Sequence, residues 1–583
     1  MNRILLLLCA VVVAIFLWGC KSPLERSLEQ DLREQLFASQ RAYLQAVEGS
    51  PQQELVRSQS DTELKLSPER RDELDQLSGV GAYEARPLEL SSDLMGQTQT
   101  QTVSMTLERA IQMAARNNLQ VEIARIQPGV EQTRVTQAEA VFDAVFFTDF
   151  RHNKTDTPRP PLAGATASPF GSAQSDDTGF TTGFRKALST GGQATIATDI
   201  GRKYDDPSFF ADPSYYQSAI VLGIEQPLLR NFGSDVNRFQ IELARNARQA
   251  SVAEFKQNLI ELATNVERAY WELLLARQRL LIQTRLLERG VRDRGTVEKR
   301  IDFDAEPASV TQASSQVEQR RAEVIKARQE VRRRSDELKR LINSPDLPVA
   351  GETLVVPLDK PVDEPMVFSL VDAISTALRQ RPELHRLLFQ IDDASIRQRV
   401  ADNLRLPLLN LNAQARINGI GNNVGDAYSD VSDDDFIDYL IGLNFELPIG
   451  NREREALYRQ RQLERRQSVV AYQDQAQQVV LEVKTAMREM IAGYELISAE
   501  RSSRRAAAEN VRNLQAKEDA GAALTPDFID LKLRRQEALA EAEFREASAM
   551  AGYNVAIANF YAAMGTLLER NGVQFVDPLH EKN

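Results

Sequence analysis

Leu107-Glu-Arg-Ala-Ile-Gln-Met-Ala-Ala-Arg-Asn-Asn118 is answered in the second half of the chain by Leu370-Val-Asp-Ala-Ile-Ser-Thr-Ala-Leu-Arg-Gln-Arg381. Each stretch starts on Leu-x-x-Ala-Ile and runs as a helix into a β-prone segment. A second echo pairs Ile220-Val-Leu-Gly-Ile-Glu-Gln-Pro-Leu228 with Leu440-Ile-Gly-Leu-Asn-Phe-Glu-Leu-Pro-Ile449. After each proline come a short Asn/Gly-containing turn and a long charged helix with apolar seams. Both halves close with a second long helix, beginning near Pro307 and near Pro526. The order helix, strands, long helix, turn, long helix is thus written twice. A period of more than ~200 residues excludes a short-repeat solenoid and means a duplicated half-protein.

The long helices are coiled-coil material. Leu259, Val266, Leu273, Leu280 and Leu287 recur at heptad spacing, with Leu262, Ala269 and Ala276 as the companion seam. In the second half Ala476, Val483, Met490 and Ile497 pair with Val480, Met487 and Tyr494. Such seams hold neighbouring helices nearly parallel in a left-handed supercoil. A helix over residues 235–300 would be roughly 100 Å long, far more than a globular core needs.

Between the helices lie β-prone segments: Phe142–Arg151, Thr178–Leu188, Gln193–Tyr204 and Tyr215–Ile224, then Leu408–Ile417 and Tyr439–Phe445. Polar loops, including Gly419–Asp438, separate them. Segments of about ten residues with alternating loops suit a transmembrane barrel. Pro227 and Pro448 sit where the last strand of each half hands over to its helix, because proline cannot donate to the ladder. One chain offers too few strands for a wide pore, so oligomerisation is predicted to supply the rest.

The first residues read as an address. Arg3, the apolar run Ile4–Leu17 and Trp18-Gly19-Cys20 form a secretory signal peptide whose end resembles the bacterial lipobox. Cys20 is therefore the expected lipidation site, and Lys21 after it favours the outer membrane. The only other cysteine, Cys9, lies inside the signal, which leaves no disulfide or thiol-based metal site. His152, His385 and His580 are far apart in sequence and predict no metal site. The net charge of -12 argues against a nucleic-acid partner and suits a duct lined by carboxylates. No other stretch is apolar enough for a membrane helix, so any spanning part must be a barrel.

Over residues 103–568 these features together resemble the TolC-like outer-membrane efflux family. The resemblance rests on the two Leu-x-x-Ala-Ile starts, the Gln-Pro-Leu-Leu and Leu-Pro-Ile-Gly strand ends, and Gly521 to Asp530. It implies a mixed α and β fold: a duplicated half-protein forming, as a homotrimer, an outer-membrane β-barrel continued by a long periplasmic α-helical barrel. It also implies a periplasmic adaptor protein and an inner-membrane transporter as partners, and no cofactor. The family's usual four strands per protomer give a twelve-stranded barrel, against six β-like segments here. The further first-half pair either extends the hairpin beyond the barrel or enters its wall.

The turn into the last helix reads Gly521-Ala-Ala-Leu-Thr-Pro-Asp527-Phe-Ile-Asp530. Thr525 fits an N-cap, Pro526 the first helical position, and Asp527 the positive helix end. Asp527 and Asp530 share one helical face. The resemblance makes them an acidic ring at the periplasmic gate; the plain alternative is a helix-capping Asp527 and a solvated Asp530. Asp304, Ala305, Pro307, Gly521, Ala522 and Ala523 form the expected adaptor-docking tip. Glu518 and Ala523 stand where the family prototype has a latch tyrosine and arginine, so the same salt-bridge latch is not expected, and any closed state would be held otherwise.

The organisation expected is a signal peptide (1–19), a lipidated leader and tether (20–102), a first repeat (103–345), a linker (346–367), a second repeat (368–568) and a tail (569–583). Leu24–Val47 reads as an amphipathic helix, and residues 49–104 read either as an ordered leader or as a loose tether. No phosphate-cradling, zinc or nucleophile-elbow motif is present, so the chain does not read as an enzyme. The expected function is a passive, outer-membrane, lipid-anchored exit duct of a tripartite efflux or type I secretion system, carrying small molecules or proteins. The alternative is a structural coiled-coil lipoprotein of the envelope, which does not account for strands placed twice between helices.

Overall fold

A computed structural model describes residues 38, 41–49, 53–54, 66–84, 101–159, 171–206, 214–301, 306–432 and 436–578. The signal segment, Cys20, Asp304, Ala305 and most of the helix expected over Leu24–Val47 lie outside them. The chain divides into a sheet unit (Val130–Ala250 and Leu387–Ala471) and a helical unit (Glu34–Gly129, Ser251–Arg386 and Tyr472–Asn583).

The sheet unit holds β2 (Ala144–Arg159), β3 (Gly171–Ala187), β4 (Gln193–Asp206), β5 (Ser214–Pro227), β7 (Leu408–Gly421) and β8 (Ile437–Glu446). They form one antiparallel sheet in the order β8-β7-β5-β4-β3-β2. The register brings Phe146, Phe184, Ile196, Leu222, Ala415 and Tyr439 into one row, and Ala194, Ile224, Ala413 and Ile441 into the next. These apolar side chains share a face because side-chain direction alternates along a strand. The opposite face mixes small and apolar residues with an ion-paired polar group. There Asp199 accepts from the Thr181 hydroxyl at 3.0 Å and pairs with Arg416 at 3.1 Å.

Two expectations change here. The first-half strands run past their apolar stretches because polar residues also pair across them, as His152 does with Thr178 and Gln174 with Asp156. The loop Gly419–Asp438 contains a helix, α8 (Val424–Ser432), which lies on β7 and β5. Gly419 and Gly421 permit that approach, since a Cβ on either would collide with the backbone of Ala427. Ser218 donates to the Ala427 carbonyl at 2.7 Å and closes the contact. Pro227 is the last residue of β5, opposite Asn410, whereas Pro448 lies two residues beyond β8. Asn231 and Asn451 take the left-handed backbone (φ 65° and 37°) in the turns that follow.

In the helical unit α2 (Leu107–Asn117) and α6 (Leu370–Gln380) are helices of equal length that start on the two Leu-x-x-Ala-Ile stretches. Each is capped by a side chain one residue before it: Thr106 accepts from the Arg109 amide and Ser369 from the Asp372 amide. Just before α2, β1 (Thr102–Met105) pairs in parallel with β6 (Leu354–Pro357), so the expected linker is part of the folded core. Tyr270 organises this region: its hydroxyl accepts from the amides of Leu358 and Asp359 and lies within reach of the Met105 carbonyl. The long helices are α4 (Phe239–Lys299), α5 (Pro307–Ile342), α9 (Arg452–Asp519) and α10 (Pro526–Met564). Leu259, Val266, Leu273 and Leu280 of the heptad seam are buried in the main core with Val324, Val331 and Leu338 of α5. α3 (Leu119–Glu139) and α7 (Pro382–Leu404) follow α2 and α6. Val573 and Phe575 of the expected tail also pack on this core, with Phe575 5.6 Å from the Phe255 ring. Among the described residues no helix is long and apolar enough to cross a membrane.

Candidate functional site

The turn between α9 and α10 is built by its termini. Gly521 takes φ 89°, its amide donates to the Glu518 carbonyl, and the Ala522 amide donates to the Lys517 carbonyl at 3.1 Å. This is a helix C-cap in which a left-handed residue lets the chain turn back on itself, which is why glycine stands there. Leu524 then buries completely with Val297, Ile529 and Leu533. Ala523 is exposed between the two anchors. At the start of α10 the cap is Thr525, whose hydroxyl accepts from the Phe528 amide at 3.3 Å. Asp527 is therefore not the capping side chain; it stands exposed in the first turn. In the first-half tip Pro307 is the first residue of α5, after a Glu306 whose side chain makes no cap bond.

Asp530 is engaged within its own protomer. One carboxylate oxygen accepts from Gln312 of α5 at 3.0 Å, and the other pairs with Arg534 at 2.7 Å. Asp527 in the first turn and Asp530 three residues on thus differ in electrostatic setting. Arg534 stands beside Asp530 as an opposite charge, and Asp527 is exposed to solvent.

Beneath this turn lies a buried polar chain that sequence reasoning missed. The Lys532 side chain is 7% exposed and pairs with Asp293 of α4 at 2.7 Å and with Glu518 of α9. Gln536 donates to Asp293 at 2.8 Å and accepts from Arg320 of α5 at 3.1 Å. Arg320 reaches on to the Leu286 carbonyl of α4. The ladder ties all four long helices. Burial works against the Lys532 ammonium, but Asp293 and Glu518 outweigh it and raise its pKa. A signal was present: Lys532 and Gln536 fall on the seam of Ile529, Leu533, Leu539 and Ala540, where a coiled coil expects apolar residues.

Farther along the same seam Glu543 is almost fully buried, 3.5 Å from Arg285. Burial pushes its pKa up to about 7, against the opposing pull of Arg289, Arg285 and Arg504. Arg504 is already committed to Glu546, Ser78 and Asp75.

Those last two residues belong to the leader. α1 (Pro68–Ser78), capped by Ser67, lies on the helical unit instead of forming the loose tether that composition allowed. Leu74 is fully buried against Ala508, Val511 and Leu539. Around it Asp75 binds Arg504 and Arg505, Glu73 binds Arg512, and Arg70 binds Glu509. Burial raises the Asp75 carboxyl, but the guanidiniums of Arg505 and Arg504 more than offset this and hold it below the usual range. Arg285 of α4 donates to the Leu77 carbonyl, so α1 spans from α9 to α4. Its footprint ends seven residues before the last residue of α9, roughly 10 Å from the turn at helical rise.

Among the described residues no cluster suited to a metal ion occurs. The family described as outer membrane efflux protein matches residues 193–344 and 373–526. No curated protein matches the chain. Among solved structures, a membrane protein from Pseudomonas aeruginosa aligns at 16% identity and TM-score 0.57, over 82% of this chain and 98% of that one. The CmeC outer membrane channel of Campylobacter jejuni aligns at 14% identity and TM-score 0.56, over 88% and 95%. The open state of the MtrE outer membrane channel of Neisseria gonorrhoeae aligns at 16% and 0.52, over 83% and 98%. At these identities the likeness is one of fold.

Proposed function

Because the chain belongs to the outer membrane efflux protein family, whose members are passive channels and not enzymes, we propose that it is the exit duct of a tripartite efflux or type I secretion system. In this reading it is a homotrimer, anchored to outer-membrane lipid through Cys20, with its helices in the periplasm. A periplasmic adaptor protein and an inner-membrane transporter deliver small molecules or proteins to it. The observation that carries the reading is the six-stranded sheet with one apolar face and two unpaired edge strands, β2 and β8. Unpaired backbone is not tolerated in hydrocarbon, so such a sheet in a membrane must close with further copies of itself.

The tip formed by Asp304, Ala305, Pro307 and Gly521–Ala523 is the docking point for the adaptor. Asp527 and Asp530 form the acidic ring of the gate, with Asp527 contributing the larger free field. The Glu518–Lys532–Asp293–Gln536–Arg320 ladder replaces the family prototype's latch and holds the resting state closed. Purified full-length protein in a planar bilayer tests the duct: discrete, cation-preferring channels are expected. Trimers that never insert or conduct would leave the structural coiled-coil lipoprotein as the reading.

A further inference from the structure

The hairpin of β3 and β4 has no place in a barrel of four strands per protomer, yet the structure does not leave it outside the sheet. It is inserted between β2 and β5. β3 pairs with β2 from Gly171 to Lys186, β3 with β4 from Gln174 to Ala187, and β4 with β5 from Gln193 to Tyr204. Both of its strands are therefore interior, and the sheet's free edges are those of β2 and β8.

The insertion also carries the right faces. Phe184 and Ile196 continue the apolar row between Phe146 and Leu222 and are about half exposed, as those neighbours are. Phe146 and Phe184 meet with ring centroids 5.3 Å apart, across the junction between the inserted hairpin and β2. On the other face Thr181 and Asp199 of the hairpin join Arg416 of β7 in one polar group. A hairpin lying outside a barrel would have no reason to match both its lipid-facing row and its polar group. Six alternating strands also leave β8 and β2 running in opposite directions, so β8 of one copy can pair antiparallel with β2 of the next.

We infer that the β3–β4 hairpin is part of the barrel wall, so that three copies of this chain, joined through their β2 and β8 edges, close an eighteen-stranded barrel. The inference rests on the trimeric duct proposed above. Barrel diameter grows roughly linearly with strand number, so the bore is about 1.5 times that of a twelve-stranded barrel. Eighteen strands reach the size at which a barrel encloses an open aqueous channel. The wall then admits cargo bulkier than a twelve-stranded duct would pass, and any restriction moves to the helical tip.

Tryptophan placed in the full-length trimer in vesicles containing brominated lipid tests this. Phe184→Trp and Ile196→Trp should lose fluorescence to the same extent as Leu443→Trp on β8, which faces lipid in a barrel of either size. Thr181→Trp, on the opposite face, should keep its fluorescence. If Leu443→Trp is quenched and the two hairpin variants are not, the hairpin lies outside the wall: the inference falls and the duct stands. If Thr181→Trp is quenched like Ile196→Trp, the hairpin is not a wall strand and the inference falls as well. If Leu443→Trp itself is unquenched, the duct reading fails first. A cryo-EM map of the same trimer should count eighteen strands, and twelve would overturn the inference.

Discussion

Replacing Lys532 with Met keeps most of the apolar stem and removes only the ammonium. Asp293 and Glu518, whose side chains are 13% and 17% exposed, would then face each other without their shared cation. Breaking a buried ion pair by deleting one partner costs about 3–5 kcal/mol, because the remaining charge stays desolvated. Neither carboxylate is fully buried, so the lower end, about 3 kcal/mol, applies. That loss should appear as local opening at the α9–α10 turn. Backbone amides over residues 514–533 should exchange about two orders of magnitude faster in Lys532→Met than in the parent, at a tenfold change per ~1.4 kcal/mol. If the ladder also holds the gate, single-channel open probability should rise in the same variant.

The companion variant decides the cause. In Lys532→Met/Asp293→Asn/Glu518→Gln the charges leave together, and buried ionic groups replaced by neutral residues of similar size are often nearly neutral in stability. The triple variant should recover most of the lost protection. If it exchanges as fast as the single variant, the loss came from packing and the electrostatic argument is wrong. If Lys532→Met exchanges like the parent, the ladder does not hold the turn at all.

Asp527→Asn should shift the reversal potential in a salt gradient more than Asp530→Asn, because Arg534 and Gln312 already engage Asp530; equal or absent shifts would place the selectivity elsewhere. Leu74→Ala should weaken leader docking by about 2–3 kcal/mol and expose residues 68–84 to limited proteolysis, and unchanged protection would mean that the ion pairs suffice. Glu543 has a folded pKa raised to about 7, so the folded state binds its proton more tightly than the unfolded chain does. Its contribution to stability is therefore present at low pH and is lost as pH rises through about 7; Glu543→Gln should melt higher than the parent at pH 8 with little difference at pH 4, and parallel melting curves at both would refute this. Mass spectrometry of the mature protein should show an acylated Cys20 at its N-terminus, whereas an unmodified chain starting elsewhere would remove the anchor.

The long helices and the positions of all six strands were legible because each rests on a local pattern: heptads, period-two alternation, or a proline and glycine at an element's end. Pro307 and Pro526 open their helices because a missing amide is harmless only at a helix start. Placement of the β3–β4 hairpin was not legible, since period-two patterning states which face a strand shows and not which strand lies beside it. α8 was hidden because Val424–Ser432 is short and acidic, and only the glycines opposite it on β7 betray a close approach. α1 was hidden for a different reason. Its sequence, Pro-Glu-Arg-Arg-Asp-Glu-Leu-Asp-Gln-Leu-Ser, is too polar to show an apolar stripe. Its order comes from one buried leucine and a set of arginines more than four hundred residues away in sequence.

The gate region shows how the same limit arises from coiled-coil physics. A seam of Leu, Val and Ala fits its neighbours in more than one register, because sliding by a heptad exchanges one apolar contact for another. In α10 the seam is interrupted at Lys532, Gln536, Glu543 and Glu546, all buried. Each interruption finds its partner on a different helix. Lys532 meets Asp293 of α4 and Glu518 of α9, Gln536 meets Arg320 of α5, Glu543 meets Arg285 of α4, and Glu546 meets Arg501 of α9. A slip of one heptad would strand every one of these groups without a partner, at about 1–3 kcal/mol for each unsatisfied polar group and more for the charged ones. The apolar seam therefore supplies the association, and its polar interruptions select one alignment of four helices. A sequence read one helix at a time displays such residues as defects in a heptad, and only the assembled helices show them to be the register.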